Sequence, residues 1–306
     1  MKEINPFFSV VIPTYNRSAK IKKTIDSLIK QSFKEFEVIV VDNGSDDDTR
    51  EVIESYHDMR LKYIYQEGSG SPANPRNTGI KNAKSDWICF LDSDDWWYEE
   101  KLEVFHDYIV KNKNVDVLYH GMDLVNLSSG ENVGVCSMKE IAKPIYTTFL
   151  EKACFGGVIA NSSVAVRKEH LFEIGLIEES KLVMTFEDFS TWVSISKLTD
   201  EFVFIPKVMG ALGVGGDNLT SYNLLWAKNF EDWFSREIES SFSFSPSQRQ
   251  VMYSNIHFKY ARSYHMGGQF REARKSYLEI AKAPISIVSR VKSLCACVLC
   301  LFKVKL

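Results

Sequence analysis

Four short apolar runs, residues 7–12, 36–41, 61–65 and 87–91, recur along the first third of the chain, and a polar or acidic stretch follows each. Between the first two, Ile21, Ile25, Leu28 and Ile29 return at helical spacing and form one apolar face. Runs this short read as buried strands. Strands that alternate with helices at this interval predict an α/β fold: a mostly parallel sheet with helices on both faces. In such sheets ligands bind at the carboxyl ends of the strands. Thr14, Asp42, Arg76 and residues 92–95 all fall at those ends or in the loops just beyond.

The fourth run ends in Asp92-Ser93-Asp94-Asp95, three carboxylates within four positions. Carboxylates this close repel one another, so a fold keeps them together around something cationic. Hard oxygen ligands on a loop with open positions suit Mg²⁺ or Mn²⁺ shared with a phosphorylated substrate, and a solvated acidic turn is the plain alternative. The second run ends in Asp42, then Ser45 to Asp48. Ser45 reads as an N-cap and Asp46, Asp47 and Asp48 as a first helical turn, which explains their charge but not that of Asp42. Pro13 is expected to stop the first strand. A loop of small residues, 68–75, carries Arg76 and Asn77 into a short helix near 78–83.

Farther on, the pattern gives a helix over 99–110, an apolar run at 115–119 and a hairpin over 123–136 around Ser128-Ser129-Gly130. Gly156-Gly157 precede a strand over 162–167. Glu187 and Asp188 open a helix with apolar Phe189, Trp192, Val193 and Ile195; acids at a helix start also have a purely structural use. Residues 202–208 read as an edge strand, because Pro206 interrupts its hydrogen bonding. From about Leu224 the texture is helical. Residues 260–281 resemble a single tetratricopeptide-like hairpin. Domains of 1–222 and 223–306 follow. In the last helix, 285–306, apolar residues are flanked by Arg290, Lys292, Lys303 and Lys305, which suits either an anionic membrane surface or docking on the body.

Of the 306 residues, 45% are hydrophobic and 25% charged, ordinary for a globular protein and an argument against disorder, and a net charge of −3 argues against bulk binding of nucleic acid. The cysteines at 89, 136, 154, 295, 297 and 300 form no even framework, which favours reduced thiols and a cytoplasmic setting; the last three read as small apolar fillers. The first residues lack the pattern of a signal peptide, and no segment has the length of a membrane span.

Ser9 to Arg17 (SVVIPTYNR), Val40 to Asp47 (VVDNGSDD), Arg76 to Gly79 (RNTG) and Phe90 to Asp95 (FLDSDD) resemble the family 2 glycosyltransferases, as do the Ser162-Ser163 strand and Glu187-Asp188. The resemblance covers roughly residues 7–220. It implies the GT-A fold, a Rossmann-like α/β sheet here followed by a helical appendage, and inverting transfer from a nucleotide-diphosphate sugar. Position by position, it implies that Pro13, Thr14, Tyr15, Arg17 and Asp42 hold uracil and ribose and that Arg76 lies near base and phosphates. Asp92 would contact the ribose or reach the metal through water, with Ser93 beside it. Asp94 would coordinate Mn²⁺ or Mg²⁺ with Asp95 as helper, and Asp188 would be the base with Glu187 alongside. Trp96, Trp97 and Trp192 fall on the acceptor side. Many relatives carry a histidine after the late strand; residues 213–221 hold none, and Asp217 is a weak substitute.

The implied activity is transfer of a hexose, UDP-glucose or UDP-galactose favoured, to a lipid-diphosphate-linked saccharide in O-antigen or capsule assembly. The enzyme would sit peripherally on the cytoplasmic face of the inner membrane, and an oligomer is left open. Two other readings stand beside it. An inactive transferase-like module could present its helical tail to a partner, but both acidic pairs are retained. A nucleotidyltransferase would need a Gly-rich basic loop after the first strand, which Pro13-Thr14-Tyr15-Asn16 is not.

Overall fold

The first strand, β1 (Phe8–Thr14), is buried along its whole length, which is why its sequence is apolar at consecutive rather than alternate positions. Its neighbours cover it on both edges: β2 (Phe36–Asp42) in parallel register from Phe8↔Phe36 to Thr14↔Asp42, and β4 (Trp87–Phe90) in parallel register from Ser9↔Ile88 to Val11↔Phe90. Pro13 does not stop the strand as expected. Successive backbone groups face opposite edges, and the Thr14 carbonyl accepts from Asn43 N on the β2 side while the Val11 carbonyl accepts from Leu91 N on the β4 side. Pro13 therefore turns its missing N–H toward β4, beyond the last β1–β4 pair, where no ladder bond is lost.

A computed structural model describes residues 5–136, 141, 143, 145–153, 159–215, 224–241, 244–282 and 287–304. Between the strands already given lie α1 (Ser18–Ile29), α2 (Thr49–Glu54), β3 (Leu61–Tyr65) and α3 (Ala73–Asn82). After β4 come β5 (Trp96–Trp97), α4 (Lys101–Lys111), β6 (Val117–Asn126), β7 (Asn132–Cys136) and α5 (Ile145–Ala153). A 3₁₀ turn (Asn161–Ser163) leads to β8 (Ala165–Arg167), α6 (Lys168–Glu173), α7 (Glu187–Ser196) and β9 (Phe202–Val214). The chain ends in α8 (Leu224–Ser240), α9 (Pro246–Met266), α10 (Phe270–Lys282) and α11 (Ile287–Leu301).

Among the described residues nine strands form one sheet in the order β3-β2-β1-β4-β8-β6-β9-β5, with β7 paired to β6. Four strand pairs are parallel and four antiparallel, the parallel ones holding most of the paired residues, and β8 enters antiparallel between β4 and β6. Alternate β1 residues, Phe8, Val10 and Ile12, join a core with Ile21, Ile25 and Leu28 of α1, Ile53 of α2 and Leu102 and Phe105 of α4. Burying each such side chain contributes about 1.5–3 kcal/mol. The opposite face carries α3 and α7. A Cβ on Gly79 of α3 would stand 2.3 Å from a Val11 methyl, so only glycine lets that helix lie so close, and Trp192 of α7 meets Phe90 at 6.1 Å between ring centroids.

Several local expectations are corrected. Helix α3 begins at Ala73, inside the stretch read as loop. Ser45 caps nothing: α2 starts at Thr49, and residues 45–48 form a turn laced to the β1 tip. The strand expected over 162–167 is shortened by the 3₁₀ turn. The late strand runs on to Val214, because pairing with β6 skips from Ile205 to Val208 and Pro206 sits in the resulting bulge.

The chain divides into two compact units. The first, Met1–Tyr146, Val158–Ser180 and Glu187–Asn218, contains the sheet. The second comprises Thr147–Gly157, Lys181–Phe186 and Leu219–Leu306. Within it Phe186, Phe230, Trp233 and Phe234 form an aromatic cluster, and Ser245 and Gln248 close a capping box that starts α9 with Pro246 at its first turn. A further cluster joins Ala261 of α9, Ala273 and Tyr277 of α10, and Ala296, Cys297 and Cys300 of α11.

Candidate active site

The strand order reverses at β1: the chain proceeds outward to β2 and β3, then returns to place β4 on the other side. The crevice beyond such a reversal is where open α/β sheets bind ligands. At its β1–β2 side, Asp42 is buried and accepts from Ser45 N (2.9 Å, Oδ1) and from the Tyr63 hydroxyl (2.8 Å, Oδ2). Burial and the Asp42 carboxylate together push the Tyr63 phenol well above its ordinary pKa, so it remains a donor. Asn16 and Asp46 exchange bonds that knit the two tips together: Asn16 Nδ2 donates to Asp46 Oδ1 (2.7 Å), and Asp46 N donates to Asn16 Oδ1 (2.9 Å). Asp47 accepts from Ser18 N and Oγ and from Thr49. Thr14 Oγ1 is buried without a hydrogen-bond partner, and Tyr15 beside it is 56% exposed. A buried hydroxyl without a partner beside an open aromatic ring is fitted to a polar, planar ligand.

At the β4 tip the three carboxylates separate by task. Asp95 is fully committed: its Oδ2 accepts from Ser162 Oγ (2.5 Å) and its Oδ1 from Gly213 N (2.9 Å). It is buried, and burial first, then the charges of Asp92 and Asp94, raise its pKa well above the carboxylate range. This moves Asp95 out of the expected metal set and makes it a brace between the acidic loop, the 3₁₀ turn and β9. Gly213 is needed there, since a Cβ would lie 2.5 Å from the Asp94 carbonyl oxygen. The Ser162 hydroxyl also accepts from Asp92 N (3.0 Å), and the Ser162 carbonyl takes the Trp97 indole N–H (2.7 Å).

Asp94 is half-buried, with Arg17 Nη2 3.8 Å away as its ion-pair partner. Burial and the charge of Asp92 raise its pKa, the sign of a carboxylate short of countercharge. Asp92 accepts from Arg76 Nη2 (2.7 Å) and, at 3.4 Å, from Asn161 Nδ2, both on Oδ1. Asp92 and Asp94 therefore fit a divalent cation. No group of three or more His, Cys, Asp or Glu side chains among the described residues is arranged to hold one.

Arg76 links the distant acidic pair to this loop. Its buried guanidinium donates through Nη1 to Glu187 Oε1 (2.5 Å) and through Nη2 to Asp92 Oδ1 (2.7 Å). Burial alone would lower its pKa, but the charges of Asp92 and Glu187 reverse that and hold it protonated. Burial lifts Glu187 to about 7 against the pull of Arg76, and Asp188 adds to the rise. Asp188 is raised as well, chiefly by burial, with Arg76 opposing and Asp92 adding. Three carboxylates thus share one guanidinium. Glu187 is locked and buried; Asp188 is half-buried, and its Oδ1 accepts from Phe189 N at 2.7 Å. Next to Arg76, Asn77 fastens the segment ahead of α7, exchanging bonds with the Ile177 backbone (2.8 and 3.0 Å) and donating to Glu179 (2.8 Å).

The structure brings together Thr14, Asp42, Arg76, Asp92, Asp94, Glu187 and Asp188 through the sheet tips and Arg76, and buries Pro13 and Ser93 among them. It does not leave the tryptophans as expected. Trp97 and Trp192 are buried core residues, 2% and 0% exposed, and only Trp96 retains an open face, with Lys23 Nζ 3.0 Å from its ring centroid. Asp217 lies outside the described residues. Sequence reasoning missed Asn161 and Gly213 as parts of the site, and Ser162 as the partner of Asp95. It also missed Cys136, which ends β7 within electrostatic reach of Asp188 and Asp95; burial and those charges raise its thiol pKa.

A family model described as Glycosyl transferase family 2 matches residues 9–150. The amylovoran biosynthesis glycosyltransferase AmsB of Erwinia amylovora is 31% identical over 215 residues, 68% of this chain and 69% of that protein. The UDP-Glc:alpha-D-GlcNAc-diphosphoundecaprenol beta-1,3-glucosyltransferase WfgD of Escherichia coli is 36% identical over 121 residues, 40% of this chain and only 47% of that protein. Among solved structures, S. aureus TarS 1-349 in complex with UDP-GlcNAc aligns with a TM-score of 0.67 and 21% identity, covering 90% of this chain and 80% of that one. A match of this kind shows a common fold, the GT-A fold.

Proposed function

The chain belongs to glycosyl transferase family 2 and is a bacterial glycosyltransferase of the polysaccharide-assembly type, and from that premise we propose that it moves one hexose from a UDP-sugar to a lipid-diphosphate-linked saccharide. UDP-glucose or UDP-galactose is the favoured donor, and the product is β-linked. The observation that carries the reading is Arg76, one guanidinium bonded to both the strand-tip Asp92 and the α7 Glu187. It supports reading the strand tips and the start of α7 as the two ends of one site. The name of the Escherichia coli relative, a glucosyltransferase acting on a diphosphoundecaprenol acceptor, supports the donor and acceptor classes.

Asp42, Thr14 and Tyr15 receive the uracil and ribose: Asp42 keeps acceptor capacity beyond its two present bonds, and Thr14 brings the unpaired hydroxyl. Asp94 and Asp92 would hold Mg²⁺ or Mn²⁺, which when bound neutralises the diphosphate leaving group. Asp188 takes the acceptor hydroxyl proton. The acceptor oxygen then bonds to the anomeric carbon as the bond to the diphosphate oxygen breaks, and UDP leaves with that electron pair. Attack on the opposite face needs no covalent intermediate and turns an α-linked donor into a β-linked product. Burial raises the Asp188 pKa and so makes it a better base toward a hydroxyl than a solvated carboxylate. Arg76 and Glu187 fix the start of α7 so that Asp188 is held toward the sugar. A lipid-linked acceptor puts this work at the cytoplasmic face of the inner membrane, with the protein attached peripherally.

The test is a panel of UDP-sugars with Mn²⁺, scoring UDP release with and without a synthetic GlcNAc- or GalNAc-diphosphate-lipid. Asp188→Asn is expected to lower turnover by about 10²–10⁴-fold while metal-dependent UDP binding persists. Activity with GDP- or dTDP-sugars alone would overturn the donor, and unchanged turnover in the variant would overturn the base.

A further inference from the structure

The last helix of the second unit has two apolar faces, and among the described residues only one is used within that unit. Ala296, Cys297 and Cys300 of α11 pack with Ala273 and Tyr277 of α10, with Ser293 also buried. Just past the helix, the Val304 carbonyl is bonded to His265 Nε2 of α9 at 2.7 Å. The helix is therefore anchored on one side. On the other, Ile287, Val291, Leu294, Val298 and Leu301 recur every three or four residues, and Phe302 follows. All are exposed, Ile287 and Phe302 by 79% and 74%. A continuous apolar stripe of this kind marks an interaction surface.

Charge identifies its occupant. After Glu279 the chain carries no acidic residue but five basic ones, Lys282, Arg290, Lys292, Lys303 and Lys305, in a protein whose net charge is −3. Lys292 and Lys303 are exposed. A second copy docked stripe to stripe would bring these like charges together with no acids to offset them. No described helix is long and apolar enough to cross a membrane. We propose that the exposed stripe of α11 lies in the interface of an anionic lipid bilayer, its apolar residues among the acyl chains and its basic residues against phosphate headgroups. The inference deepens the reading of a lipid-linked acceptor, and rests on it for its setting. Lipid binding itself can be measured without turnover.

The experiment is co-sedimentation of the full chain with vesicles of phosphatidylcholine alone or mixed with phosphatidylglycerol, at low and high salt. Binding is expected to the mixed vesicles, weakened by salt. Val291→Glu with Val298→Glu, both on the exposed stripe, should weaken it by more than ~10-fold, since two charges would enter the acyl boundary. Lys292→Gln, which leaves all packing intact, should weaken it about 5-fold, the worth of one basic residue at an anionic surface. Neither variant should change UDP release with a water-soluble acceptor, so failure of the transferase reading is seen separately. The proposal is overturned if the parent ignores phosphatidylglycerol or if the double variant binds as the parent does. It is equally overturned if the stripe instead supports a concentration-dependent dimer that the double variant abolishes.

Discussion

At the scale of single residues, Arg76 decides the electrostatics of the site. The resemblance implied a contact with base and phosphates; the structure buries the side chain and gives it to Asp92 and Glu187. Breaking a buried ion pair from one side leaves an uncompensated charge. Arg76→Met is therefore expected to lose roughly 3–5 kcal/mol of stability, read from urea unfolding. Arg76→Lys keeps the charge but cannot form the two-armed bridge. Its expected signature is a lower kcat with UDP affinity near that of the parent. The opposite result, weakened UDP binding with kcat preserved, would return Arg76 to the donor. Asp94 and Asp95 show the same limit of sequence reading. They are adjacent and chemically identical, yet one pairs with Arg17 at 3.8 Å and the other is spent on Ser162 and Gly213, partners 67 and 118 positions away. Spacing along the chain carries no record of that choice.

At the scale of elements, hydrophobic period and strand-end chemistry made β1 to β4 legible. Errors came where a tertiary contact overrode a local preference: Pro13 inside β1, the early start of α3, and the bulge at Pro206. Helix α4 holds a feature that amphipathic reading hid. Lys101 is fully buried, its Nζ has no hydrogen-bond partner, and it lies 3.2 Å from the centroid of the Trp97 ring. Burial lowers its pKa to about 7. Below that pH folded and unfolded chains both hold the proton. Between it and the unfolded value near ~10.4 only the unfolded chain does, so folded-state stability rises with pH across that window. The rise is on the order of several kcal/mol, at about 1.4 per pKa unit, and the cation–π contact with Trp97 reduces it. Lys101→Met should be the more stable protein at pH 7 in urea unfolding, with its advantage shrinking toward pH 10. An advantage independent of pH would mean that the ammonium is not the cause.

At the scale of the whole molecule, the two compact units interleave along the chain: residues 181–186 belong to the helical unit, and Glu187 opens the return to the sheet unit. Phe186 packs its ring against Phe230 and Trp233 at 5.2 and 5.6 Å. A chain cut after residue 222 would expose Phe186 one peptide bond from the acidic pair. We expect it to bind hydrophobic dye and unfold at a lower temperature than the full chain; an equal melting temperature would show that the helices contribute nothing to that segment. What the sequence determined by itself was the sheet of alternating strands and helices, the polar and acidic strand tips and the family to which those tips belong. Each is written in periodicity and in short contiguous motifs. Only the tertiary structure decided which carboxylate of the acidic loop is tied to Ser162 and Gly213, which tryptophans are core, and that Arg76 ties the two acidic clusters together. Those outcomes rest on burial and on hydrogen bonds between residues far apart in the chain, and a linear pattern does not encode such distances.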